Sequence, residues 1–136
     1  MNDATIVESG AMGRVAYARI APNEDLVQGV EKLCLVEGFR NAFVRGALGS
    51  LVDGCLGTLD GKFIQVKGPA VEIVSLAGEV RSQPDGSLRA SLTGVIAGPQ
   101  PKDHQRPSSG QVRSECRTPS ASRSNSPNEM TSNRAR

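Results

Sequence analysis

Hydrophobic and polar residues recur at recognisable periods over the first hundred positions and lose that order afterwards. Arg14 to Ile20 (RVAYARI) sets Val15 and Tyr17 against Ala16, Ala18 and Ile20, the period of two expected of a strand. Pro22-Asn23 interrupts it. Asn23 stands where a helix cap belongs, and Glu24 and Asp25 after it suit the positive end of a helix. From there to Glu37, Leu26, Val30, Leu33 and Cys34 recur at helical spacing and Val27 widens the stripe. Gly38 is the expected left-handed stop.

Beyond the helix the period changes to two. Phe39 to Leu48 and Leu51 to Leu59 read as strands on either side of Gly49-Ser50, and Asp60-Gly61 is a hairpin turn into the alternating Lys62–Lys67 (KFIQVK). Val71 to Arg81 (VEIVSLAGEVR) is the most strand-like segment. Pro84-Asp85-Gly86 makes the next turn, and Ser87 to Ala97 is a last strand. One strand, one helix and then consecutive strands predict an α+β domain, a mainly antiparallel sheet with one principal helix packed on it. The domain spans 14–99, behind a flexible lead-in at 1–13.

Composition sharpens the division. Residues 100–136 hold eight Ser, four Pro and six Arg, but only Val112 among Val, Leu, Ile and Phe. Too little apolar surface remains there to offset chain entropy of roughly 1–2 kcal/mol per residue, so a disordered basic tail is expected. The overall charge of +2 hides the same asymmetry. Residues 1–99 carry nine Lys/Arg against eleven Asp/Glu, a balance of −2, and residues 100–136 carry seven against three, a balance of +4. The domain therefore offers no excess of positive charge for nucleic-acid phosphates. With 3% aromatics in 136 residues the core is small, and self-association is a common remedy.

The odd count of cysteines, Cys34, Cys55 and Cys116, has no metal-type spacing and reads as free thiols in a reducing cytoplasm. The first residues carry Asp3 and Glu8 where an export signal would be basic, and no apolar run approaches the ~20 residues of a membrane span. No nucleophile–base–acid set is visible: Ser50 follows a glycine-rich turn without a histidine in the folded region. Gly46-x-x-Gly49 lacks the Lys-Ser/Thr of a phosphate loop, and Asp53, Asp60 and Asp85, each before a glycine, read as turn residues. Cys34 is a small core hydrophobe. Arg45 and Glu72 are the charges best placed to line a subunit cleft, where a buried charge would need a partner, against the plainer reading of a solvated strand face.

Several runs resemble the plants-and-prokaryotes-conserved (PPC) domain family in the right order. These are Arg19-Ile20-Ala21-Pro22-Asn23-Glu24-Asp25-Leu26, the helix end Glu37-Gly38-Phe39, Gly46-Ala47-Leu48-Gly49-Ser50-Leu51, and Val71-Glu72-Ile73-Val74-Ser75-Leu76-Ala77-Gly78. The resemblance implies a homotrimer, and DNA association by analogy with plant relatives that carry an AT-hook; from this chain's own residues no cofactor is expected. Gln105-Arg106-Pro107 lacks the glycine and flanking arginine of such a hook. Where many prokaryotic members place the first of their metal-holding histidines, this chain has Arg89, and its one histidine, His104, lies in the tail. The family's closing glycine turn and apolar last strand are replaced by Pro99-Gln100-Pro101, so the domain reads as C-terminally incomplete. The genetic code permits a one-nucleotide shift within Arg106–Gln111 to read as Gly-His-Leu-x-Gly-(Lys or Arg), the family's turn, which raises the alternative of a frameshifted, non-functional product.

The sequence therefore predicts a non-enzymatic, trimeric binding or regulatory module with weak DNA association and no membrane attachment. Arg45, Ser50, Glu72 and Arg89 are its candidate inter-subunit cleft. The alternative is a trimer that binds or transforms a small molecule in that cleft.

Overall fold

The computed structural model describes residues 5–98 and 107–114. Its helix, α1 (Leu26–Glu37), forms where the apolar stripe predicts it and buries Leu26, Val27, Gly29 and Cys34. The cap is Asp25 rather than Asn23. Asp25 is extended, and its carboxylate accepts the Gln28 N–H at 2.9 Å, three residues on, as a cap requires. Asn23 lies two residues too early and turns the chain at φ 67°. Gly38 ends the helix at φ 75°, and the Phe39 N–H beyond it returns to the Cys34 carbonyl at 2.8 Å.

Among the described residues the seven strands are β1 (Asn41–Val44), β2 (Ser50–Leu51), β3 (Gly54–Gly57), β4 (Phe63–Val66), β5 (Val71–Ser82), β6 (Leu88–Ala97) and β7 (Ser108–Val112). They form one sheet in the order β1-β5-β6-β7-β3-β4, with β2 also beside β5, and every pairing is antiparallel. The two predicted hairpin turns are present, with Gly61 at φ 78° and Gly86 at φ 85°.

The connection from β2 to β3 dictates the shape. In a flat sheet β2, beside β5, would stand four strand spacings from β3, roughly 19 Å. Yet Leu51 and Gly54 are three residues apart and span at most about 11 Å. The sheet must curl until its edges approach. Gly68 permits the corner, because a Cβ there would fall 1.4 Å from the Val52 carbonyl oxygen, and the Asp53 carboxylate beside it accepts the Gly68 N–H at 2.8 Å. The curled interior encloses Leu51, Leu56, Val71, Val80 and Leu92, all at most 1% exposed, and α1 adds Leu26 and Val27 while packing chiefly on β6.

Three expectations require correction. Arg14–Ile20 forms no strand. Its alternation gives it two unlike faces, but no neighbouring strand supplies a ladder, and Val15 and Tyr17 are 82% and 96% exposed. The segment is held instead by Arg14, which donates to the Glu37 carbonyl at 3.0 Å, pairs with the Glu37 carboxylate and lies 4.9 Å over the Phe39 ring. Second, Ser108–Val112, expected to belong to an unstructured tail, is β7. It pairs with β6 from Ile96↔Ser108 to Thr93↔Gln111 and with β3 at Leu56↔Val112 and Gly57↔Gln111. Main-chain hydrogen bonds make this strand, and they need no apolar side chains. Its one apolar residue, Val112, enters the core. The rest of the predicted tail, 99–106 and 115–136, lies outside the described residues. Third, the cysteines are not all free. Cys34 is a free, buried thiol whose pKa burial pushes up, whereas Cys55 is disulfide-bonded, so the free-thiol argument no longer bears on the compartment.

Candidate functional site

The four sequence-predicted cleft residues do not converge within one chain. Ser50 and Glu72 face each other across β2 and β5, which places both side chains on one face of the sheet. Arg45 follows the end of β1 and is exposed. Arg89 opposes Arg81 at the far end of the β5–β6 hairpin. Nine residues of β5 separate Glu72 from that rung, roughly 30 Å at the rise of an extended strand.

Arg89 nevertheless lies in a cleft of its own. β6 and β7 stay in register only as far as Thr93↔Gln111. Beyond it β7 follows β3 alone, and the Arg113 N–H donates to the Cys55 carbonyl at 3.0 Å. The seam opens into a cleft of about 330 Å³ between Arg89–Ser91 and Gln111–Ser114, walled by Val27 and Glu31 of α1 and by Phe63 of β4. Glu31 secures the inner wall: its carboxylate accepts the Ala90 N–H at 2.9 Å. That amide points away from β5 and would otherwise be an orphaned donor.

Sequence reasoning missed Glu31, Phe63 and Arg113. Glu31 and Phe63 sit in correctly predicted elements, but nothing in their spacing marks a shared cavity. Arg113 was hidden because its surroundings resemble solvated chain by composition.

The donors present do not suit a metal ion. Arg89 and Arg113 carry guanidinium groups, which stay protonated and offer no lone pair. Among the described residues the one carboxylate lining the cleft, Glu31, is engaged by a backbone amide, and no three His, Cys, Asp or Glu cluster as ligands would. Elsewhere among the described residues, half of the eight Lys and Arg side chains pair with acids. Arg14–Glu37, Lys32–Glu24, Lys62–Asp60 and Arg81–Glu79 are ion pairs at the surface. No helix among the described residues is long and apolar enough to cross a membrane.

Comparison with known proteins fits this architecture. The sequence matches the Plants and Prokaryotes Conserved (PCC) domain over residues 7–118, most of its length and past β7. The chain belongs to the PCC domain family. No curated protein matches it. Among solved structures, a PPC protein of Pyrococcus horikoshii superposes with a TM-score of 0.62 at 21% identity, covering 79% of this chain and 74% of that one. A metal-containing protein of Archaeoglobus fulgidus gives 0.53 at 21% identity, covering 69% and 65%. The "Putative DNA-binding protein" of Ralstonia eutropha JMP134 gives 0.51 at 16%, covering 67% and 61%. The PCC fold is thus shared with all three, while the match spans less than two thirds of the last two proteins.

Proposed function

We propose that this PCC protein is a non-enzymatic binding module that works as a homotrimer and associates weakly with DNA. The observation that carries the assembly is the outer face of the sheet, which no other described element covers. Directly opposed residues project together, so Phe43 with Glu79 and Ser91, and Ala77 with Thr93, form a shelf of small side chains beside one ring. Phe43 is 74% exposed there, and Val74, at the irregularity in β5, is 58% exposed. Apolar surface of this kind on a sheet commonly marks an association surface. The DNA component rests on the family and on the name of the Ralstonia eutropha relative. With a domain balance of −2, the phosphate contacts belong to the basic residues of 100–136. The non-enzymatic reading rests on Ser50, which opposes a carboxylate and not the imidazole that would activate its hydroxyl.

Sedimentation velocity of the full chain tests the assembly. The expected species has three times the 14.3 kDa of the chain, and Phe43→Glu shifts it to monomer. A wild-type monomer at tens of micromolar overturns the assembly. DNA affinity should fall steeply with salt; binding indifferent to salt removes the DNA component.

A further inference from the structure

We propose that Val15–Arg19 is a strand whose ladder lies on a second copy of this chain. It adds antiparallel to the open edge of β1, with Tyr17 opposite Phe43. This deepens the homotrimeric reading above and rests on it, by naming the element that one subunit lends to the next.

Two incomplete pieces of sheet occur in the same molecule. Val15–Arg19 alternates as a strand does, yet among the described residues it belongs to no helix, turn or ladder, and no main-chain hydrogen bond joins it to another segment. All five residues are exposed. The segment is fastened at its ends and not in its middle. Arg14 is bonded to Glu37, and Ile20 packs against the core and on Gly29, where a Cβ would fall 3.0 Å from the isoleucine Cγ2. Between those anchors the strand is displayed. The second piece is β1. It pairs with β5 on one side, and among the described residues no strand pairs with it on the other. The opposite end of the sheet, β4, is flanked by Lys62 and Lys67, and lysine at an edge discourages strand addition. β1, Asn-Ala-Phe-Val, carries no charge.

Side chains fix the orientation. Val44 packs against the core, so its neighbour Phe43 projects from the outer face. Joining Val15 and Tyr17 to that face sets their apolar groups beside Phe43, and leaves only Ala16 and Ala18 on the crowded inner side. An antiparallel strand continues the pattern of the sheet and places Arg19 opposite Asn41. A parallel one would set Arg19 against Arg45, two like charges. A strand received at an edge is a head-to-tail contact, the kind that closes into a ring when each copy gives one strand and takes one.

The test uses the full chain. Arg19→Cys and Asn41→Cys, co-expressed and oxidised with glutathione disulfide, should yield a reducible product of two chains that neither variant yields alone. In the wild-type trimer, hydrogen exchange should be slowed at alternate amides of 15–19, and Phe43→Glu, which dissociates the assembly, should abolish that protection. Tyr17→Glu should raise the dissociation constant about tenfold and leave the melting of the dissociated chain unchanged. A trimer that gives no mixed product, or whose 15–19 amides all exchange freely, overturns the strand inference and leaves the assembly standing. Protection that persists in the Phe43→Glu monomer places the ladder within one chain and overturns it as well. A wild-type monomer in sedimentation overturns both.

Discussion

The β5–β6 hairpin and β7 share one sheet, yet they hold their places by different means. The hairpin is written in side chains. Val71, Leu76, Val80, Leu92 and Ile96 alternate toward the interior, and each is buried. β7 reads Ser-Ser-Gly-Gln-Val, with one buried side chain, Val112. It stays because β6 on one side and β3 on the other offer unpaired backbone groups. A segment too polar to build a core can still complete one, because the slot supplies what the segment lacks. β7 also joins the β3–β4 hairpin to the rest of the sheet, so its contribution is out of proportion to its apolar content.

That contrast can be broken most severely by removing the strand. A chain ending at Gly98 loses the link between β6 and β3, and we expect it to lose its cooperative thermal transition. A truncated chain that melts as sharply as the whole would show β7 to be dispensable. Next in size is Leu92→Ala, which empties a fully buried position in β6 and should cost about 2–5 kcal/mol in denaturant unfolding.

Gly110→Ala should cost less, about 1–3 kcal/mol, because the new Cβ would lie 2.6 Å from the Gly57 carbonyl oxygen. By contrast Ser109→Ala, at an exposed position of the same strand, should change stability by no more than about 0.5 kcal/mol. The pair isolates what β7 requires: close backbone approach, and little from its side chains.

The smallest expected effect is one of pH. Hydrogen bonds from Thr58 and Lys62 hold the Asp60 carboxyl below its ordinary range, and Ser87 does the same for Asp85. Carboxylates depressed in the folded state stabilise it above their unfolded pKa, and that contribution disappears as pH falls through the folded one. Stability of the two hairpins should therefore decline slightly below the ordinary aspartate range, and Thr58→Ala should flatten the Asp60 part of that decline.

What the sequence revealed follows the same division. β5, β6, α1 and the Asp60-Gly61 turn were legible because burial of their side chains or the backbone demands of a turn left a periodic or local mark. Arg14–Ile20 misled because alternation records unlike faces and does not record whether a partner strand exists. The cap was misplaced by two residues because Asn23 and Asp25 both carry suitable oxygens, and only the backbone at each decides between them. Of the candidate site, Arg89 was legible as a charge on a strand and Arg113 was not. Convergence of β6 with the end of β7 depends on a ladder that leaves no trace in hydropathy.

The most direct test of this account is amide hydrogen exchange at β7. The Arg113 N–H, bonded to the Cys55 carbonyl at 3.0 Å, and the Gly110 amide of β7 should exchange as slowly as the central amides of β6. Exchange at the rate of an unstructured peptide would contradict it, and would leave the β3–β4 hairpin with nothing to join it to the sheet.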